Sequence, residues 1–273
     1  MAVYASSVTQ YLAFSYTSSI LKGDLVVMDD ASSQTLKALL GLRGLILEGE
    51  LRPGTRVSET LLVERFGVSR TPARTALIRM NEEGLLEQLP SGGFAVKGFT
   101  EQDLADAIEI RGVLEGMAAR FAAERGAPAE LLARMDRCVA DLDHAVAALS
   151  KHFDLSEFVR LNDQFHALLV EASGSEMIAH SLQRIMSLPF AAPNAFIESQ
   201  RADVHGVVQI LVVAQDQHRT IVEAIRNRQS ARAQAVTAEH SFCATRYLRL
   251  VLASGQEPRG IPALTLIKTS RFK

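Results

Sequence analysis

Disulfide chemistry has little to work with in this sequence, which holds two cysteines, Cys138 and Cys243, both in stretches that read as helix. A disulfide-stapled secreted scaffold is excluded. No apolar run approaches the ~18 residues that a membrane helix needs, and the stretch from Val207 to Ala214 is interrupted by Gln209. The start lacks a basic segment followed by an apolar core, so no secretory signal is read, and the expected compartment is the cytoplasm with no membrane partner. An excess of one charge is missing too, with 29 Lys and Arg against 31 Asp and Glu, a net charge of -2. That excludes a protein that coats nucleic acid by bulk charge and leaves open a local basic face. What is abundant is apolar: 48% of 273 residues against 22% charged, a chain that buries a core and is not disordered throughout. At about 100 to 200 residues per domain, that length suits two domains.

Residues 1–32 show no sustained period and read as a poorly ordered extension, with Met28 as an alternative start. Leu36, Leu39, Leu40, Ile46 and Leu47 fall at helical spacings until Gly49 and Pro53-Gly54 stop them. Ser58 is placed to cap a second short helix and Ser69 a third, with Pro72 in its first turn, where no backbone N–H is missed. The runs Leu85–Leu89 and Phe94–Val96 flank Pro90-Ser91-Gly92-Gly93 and predict a hairpin with a glycine-rich tip. A first domain therefore spans 33–98. From Thr100, which with Asp103 has the spacing of a capping box, about six helices follow, the last over Ala231 to Leu252. They make a second domain at 99–254. Pro189 to Pro193 interrupts them as a loop or kink, and 255–273, with Pro258, Gly260 and Pro262, reads as a loose tail. The fold class is mostly α: a winged helix-turn-helix followed by an all-helical bundle.

Helix, Gly67-Val68-Ser69 turn, helix is helix-turn-helix spacing, and the hairpin adds a wing. On the third helix Ala73, Ala76, Leu77 and Met80 share one face, leaving Arg70, Thr71, Arg74, Thr75 and Ile78 outward. An isolated pair of arginines is usually a solvated face. Here they sit at a helix N-terminus whose dipole is positive, following a tight turn, an arrangement that suits a major groove flanked by phosphates. One recognition helix reads few base pairs, so two-fold half-sites and a homodimer on double-stranded operator DNA are expected.

These residues, from Arg52-Pro53-Gly54 through Ser58-Glu59, Phe66 to Pro72, Arg74 to Leu77 and Glu83 to Leu86, closely resemble the DNA-binding domain of GntR-type transcription regulators. The resemblance implies base or phosphate contacts from Arg70 and Arg74, with Ser69 and Thr71 beside them, and a wing tip of Ser91, Gly92 and Gly93 in the minor groove. Thr60 departs from the pattern, standing where some relatives have a DNA-contacting arginine.

Of seven histidines, three have an unusual setting. His240 lies in the stripe Ala233, Val236, Cys243, Ala244, Tyr247; His218 lies among Leu211, Ala214, Ile221, Val222, Ile225. His166 follows Asn162 by one turn, at the edge of Leu161, Phe165 and Leu168. A single such histidine is ordinarily a hydrogen-bonded core residue, but imidazoles aimed into one bundle from separate helices form the usual shell of a divalent metal such as zinc, nickel or manganese. His144, His152, His180 and His205 show no convergence and read as surface or packing residues. Arg111 and Glu115 fall on an apolar face with Leu104, Ala107 and Ile108, where two readings stand: an i,i+4 salt bridge fixing helix packing, or an arginine that binds the carboxylate of a small effector.

Arg111-x-x-x-Glu115, Asn162-x-x-Phe165-His166, His218-Arg219-x-Ile221-Val222 and His240 are similar to the helical, FCD-type effector domain of the FadR subgroup of GntR regulators. In metal-binding members an aspartate or asparagine and three histidines hold a cation beneath the effector; here the resemblance implies Asn162, His166, His218 and His240. An amide donates more weakly than a carboxylate and brings no charge, and Asp163 lies ~100° further round the helix. The expected function is a metabolite-responsive DNA-binding repressor and not an enzyme. The alternatives are a metal-dependent enzyme using the histidines, for which no acid or base is evident beside them, and a helical assembly protein, against which the outward arginines argue.

Overall fold

The computed structural model describes residues 30–195, 203–253 and 262–268. The expected N-terminal extension lies outside them up to residue 29, as do residues 255–261 and 269–273 of the expected tail. The chain divides into two compact units, Met1–Thr100 with Pro262–Lys273, and Glu101–Ile261.

In the first unit, α1 (Asp30–Leu47) buries Leu39, Leu42 and Ile46 against a helix-turn-helix formed by α2 (Glu59–Phe66) and α3 (Arg70–Glu82). Leu62 of α2 and Ala73, Ala76, Leu77 and Met80 of α3 complete that core. Ser58 caps α2 by accepting from the Leu61 N–H at 3.2 Å. Ser69 occupies the N-cap position of α3, yet its hydroxyl makes no capping bond. Its backbone N–H donates instead to Gln34 Oε1 of α1 at 3.0 Å, which ties the turn to the first helix. The wing is a three-stranded antiparallel sheet in the order β1 (Arg56–Val57), β3 (Phe94–Val96), β2 (Leu86–Gln88). Two strands were legible as the hairpin; β1 has too few residues to carry an alternation of its own. Where a loose tail was expected, residues 262–268 form a short helix, Pro262–Thr265, and a bridge between Ile267 and Phe99, with Lys268 N donating to Phe99 O at 2.7 Å. Leu264 and Leu266 are buried there, which outweighs the helix-breaking residues before them.

The second unit is a bundle of α4 (Glu101–Arg125), α5 (Ala129–Ala148), α6 (Ser156–Ser173), α7 (Glu176–Met186), α8 (Val204–Arg226), α9 (Ser230–His240) and α10 (Phe242–Ala253). Helix α4 presents Gly112, Gly116, Ala119 and Ala123 to its neighbours, and α9 packs closely along it. A Cβ on Gly112 would lie 2.3 Å from Ser241 Oγ, and one on Gly116 would lie 3.0 Å from Gln234 O. Those two glycines therefore set how near α9 approaches Arg111 and Glu115. The single helix expected over 231–252 is broken at Ser241, which is buried at 2% exposure and donates its hydroxyl to Ala238 O at 2.8 Å. Seating that side chain against Gly112 costs the helix its regular turn just after His240. No helix among the described residues is long and apolar enough to cross a membrane.

Candidate functional site

In the first unit, Arg70, Thr71 and Arg74 are exposed on α3, while Ala73, Ala76 and Leu77 are buried beneath them. Arg74 stands at 3.9 Å from Glu59 with a 73% exposed side chain, so that pairing is weak and leaves it available to a ligand. Ser69 Oγ, released from capping, faces outward at the same helix end. At the wing tip Gly92 and Gly93 have φ of 83° and 82°, with nothing near the position of a Cβ, so the tip is thin and its backbone approachable. Ser91 is exposed beside them and accepts from Arg56 at 2.5 Å.

In the second unit, α6, α8 and α9 each bury one histidine, His166, His218 and His240, at 2%, 0% and 6% exposure. One ring nitrogen from each lies within 4.8 Å of the others. The remaining four histidines, at 144, 152, 180 and 205, are exposed. The orientation of His218 follows from its neighbours. Gln215 donates its amide to Val139 O and to Asp143 Oδ1, both at 2.8 Å, so its Oε1 must face His218 Nδ1, 3.0 Å away. That acceptor requires the proton on Nδ1 and leaves Nε2 bare. His240 Nδ1 meets Gln217 Oε1 at 3.1 Å, and the two Nε2 atoms face each other at 3.1 Å.

Two bare nitrogens at that distance repel, and a shared cation removes the repulsion. Ligands held about 2.0 to 2.1 Å from one ion stand roughly 3.0 to 3.4 Å apart, so the spacing fits. The alternative is a tautomer of His240 that gives up its bond to Gln217. Burial pushes the His218 and His240 pKa values down, helped by the charge of neighbouring imidazoles and, for His240, opposed by Glu115; His240 falls to about 3. Both rings are therefore neutral near pH 7, as metal ligation requires.

His166 Nδ1 lies 3.0 Å from Glu115 Oε1 without the alignment of a hydrogen bond. Burial alone would raise the Glu115 pKa, but His166 and Arg111 outweigh it and hold the carboxyl at about 2. Glu115 is thus a carboxylate beside the histidines that the sequence pattern did not reveal. So low a pKa makes it a poor general base. Arg111, 2% exposed, stands 3.8 Å from Glu115 Oε2 and donates to Ala191 O at 3.1 Å. Its Nε and Glu115 Oε2 make no hydrogen bond. The i,i+4 pair is present, and Arg111 also lines a small cavity of about 30 Å³ with Asn162, His166, His240 and Tyr247. The two readings of Arg111 are therefore compatible.

Asn162 is 4% exposed and donates to Asn194 Oδ1 at 3.0 Å. Asn194, Gln215 and Gln217 all act on this site, and no pattern marked them. Asn194 lies outside any helix, and glutamines three residues and one residue before His218 carry no period of their own.

Residues 35–96 match the family described as bacterial regulatory proteins, gntR family, and residues 106–241 match the FCD domain. The chain is 29% identical to the HTH-type transcriptional regulator YdhC of Bacillus subtilis (strain 168), over 79% of this chain and 91% of that one. It is 28% identical to the HTH-type transcriptional repressor GlaR of Escherichia coli (strain K12), over 76% and 93%. The solved structure of E. coli McbR/YncC has the same fold, with a TM-score of 0.55 at 19% identity over 82% of this chain and 99% of that one.

Proposed function

This chain belongs to the GntR family of DNA-binding transcription regulators and carries an FCD domain, and on that premise we propose how it works. It binds operator DNA as a homodimer, holds a divalent cation at Asn162, His166, His218 and His240, and changes its hold on DNA when a small carboxylate binds beside that cation. In the first unit, Arg70 and Arg74 read the major groove with Ser69 and Thr71 on phosphates, while Ser91, Gly92 and Gly93 enter the minor groove. Two copies on two half-sites give enough base pairs for a specific operator. Similarity to a relative described as a repressor favours repression.

The observation that carries the effector reading is that Arg111 and the pocket faces of Asn162, His166 and His240 line one cavity. A bound cation would supply a positive centre able to accept an effector oxygen. Arg111 supplies N–H donors for a carboxylate, and burial excludes water from that contact. Glu115 keeps Arg111 turned inward by charge and lies 3.0 Å from His166 Nδ1. The relatives are regulators and not enzymes, which leaves the alternative of a metal-dependent enzyme without support. Binding of the purified protein to its own upstream DNA, with and without a panel of small carboxylates, tests the reading when paired with elemental analysis. DNA binding that no carboxylate alters, by a protein that takes up no zinc, nickel or manganese, overturns the effector part and leaves the DNA part standing.

A further inference from the structure

An amide ligand is the weak point of a three-histidine site, and the residues around Asn162 address it. Asn194 donates its side-chain amide to Val159 O at 2.9 Å and to Asp163 Oδ1 at 2.6 Å. Turning that amide over would set its oxygen against a carbonyl and a carboxylate, so its orientation is fixed. Asn194 Oδ1 must then accept, and the group facing it at 3.0 Å is Asn162 Nδ2. A flip of Asn162 would place oxygen against oxygen. Its Oδ1 is therefore the atom left over, on a side chain that lines the pocket with His166 and His240.

We propose that Asn194 and Asp163 are positioning residues for Asn162: they fix its amide with Oδ1 turned to the cation site, and the Asp163 carboxylate supplies through two amides the negative charge that Asn162 lacks. The inference rests on the divalent-cation reading above. Hydrogen bonds in series polarise one another, so a carboxylate accepting from Asn194 makes Asn194 Oδ1 a better acceptor, and that in turn makes the Asn162 carbonyl oxygen a better donor to a cation. Asp163 need not reach the site. The ~100° that carries it off the pocket face places it where Asn194 can reach it.

The test titrates Co²⁺ and Zn²⁺ into the full-length, chelator-stripped protein, following affinity and the visible spectrum of bound cobalt, with thermal melts to establish folding. Outer-shell partners of metal ligands are commonly worth 10- to 100-fold in affinity. Asn194→Ala and Asp163→Asn are each expected to weaken cation binding by about tenfold or more and to alter the cobalt spectrum. The double variant Asn162→Asp with Asp163→Asn moves the charge onto the ligand itself and is expected to regain the affinity that Asp163→Asn loses. The relay predicts that Asp163→Asn costs affinity with Asn162 in place and costs none once Asn162→Asp carries the charge, whereas a structural role predicts the same cost in both backgrounds. If Asn194→Ala does not fold, Asp163→Asn, a near-isosteric change at a half-buried position, decides the matter by itself. Wild type that binds cobalt with the same affinity and spectrum as Asp163→Asn overturns the relay and leaves the cation reading intact. Wild type that binds neither ion overturns the cation reading and the relay with it.

Discussion

The two units put their candidate functional residues in opposite places. In the first, Ser69, Arg70, Thr71, Arg74 and the wing tip stand exposed within one short stretch of chain. In the second, Arg111, Glu115, Asn162, His166, His218 and His240 are all buried and come from four helices. An exposed site needs only that its own element form and turn one face outward, so capping, turns and helical period suffice. A buried polar site survives only if every member finds a partner, so it draws in residues whose importance is invisible until the helices pack.

The sharpest way to break this contrast is to remove one buried histidine. His218→Ala or His240→Ala should drop cation content to background by elemental analysis, while operator affinity without effector stays within about twofold, since no DNA contact changes. Loss of DNA binding in step with the metal would mean that the two sites are not separable. Arg111→Ala comes next. It leaves Glu115 buried beside His166 without its arginine, so stability should fall by about 3 to 5 kcal/mol in urea melts, and any carboxylate response should vanish. A stable variant that still responds to carboxylate would show Arg111 to be peripheral.

On the exposed side, Arg70→Ala and Arg74→Ala should each weaken specific operator binding by about 1 to 3 kcal/mol, measured by titration at fixed salt, with cation content unchanged. Unaltered binding in both would remove the major-groove reading. The smallest effect per step is that of pH on chelator-stripped protein. His240 is held at about 3 against 6.5 when unfolded, so the unfolded chain takes up the proton first as pH falls. Stability is then full above 6.5 and declines toward 3 by up to about 1.4 kcal/mol per pH unit for each such histidine. His218 acts in the same direction. Glu115, at about 2 against 4.5, adds a loss between those values. Denaturation midpoints that stay flat from pH 7.5 to 5 would contradict this, and a cation bound to the site should damp the decline.

Much of the fold was legible because local rules dominate it. The inward face of α3, the turn before it, the glycine tip of the wing and most helix ends followed from period and punctuation. Three features did not. Strand β1 is two residues long and exists because β3 offers it an edge. Residues 262–268 fold because Leu264 and Leu266 find an apolar surface far away in sequence. The break at Ser241 depends on a glycine on another helix.

For the buried site, sequence alone determined which histidines face inward, since a helical stripe records its own buried side and His166, His218 and His240 lie on such stripes. It also determined that Arg111 and Glu115 share a face. Only tertiary structure decided that the three rings meet, that Glu115 stands against His166, and that Gln215, Gln217 and Asn194 orient the inner residues. The physical reason is the range of the forces involved. Burial is written into each helix by its own period, whereas a hydrogen bond acts over about 3 Å and can be formed only after packing has brought residues such as Asn162 and Asn194 side by side.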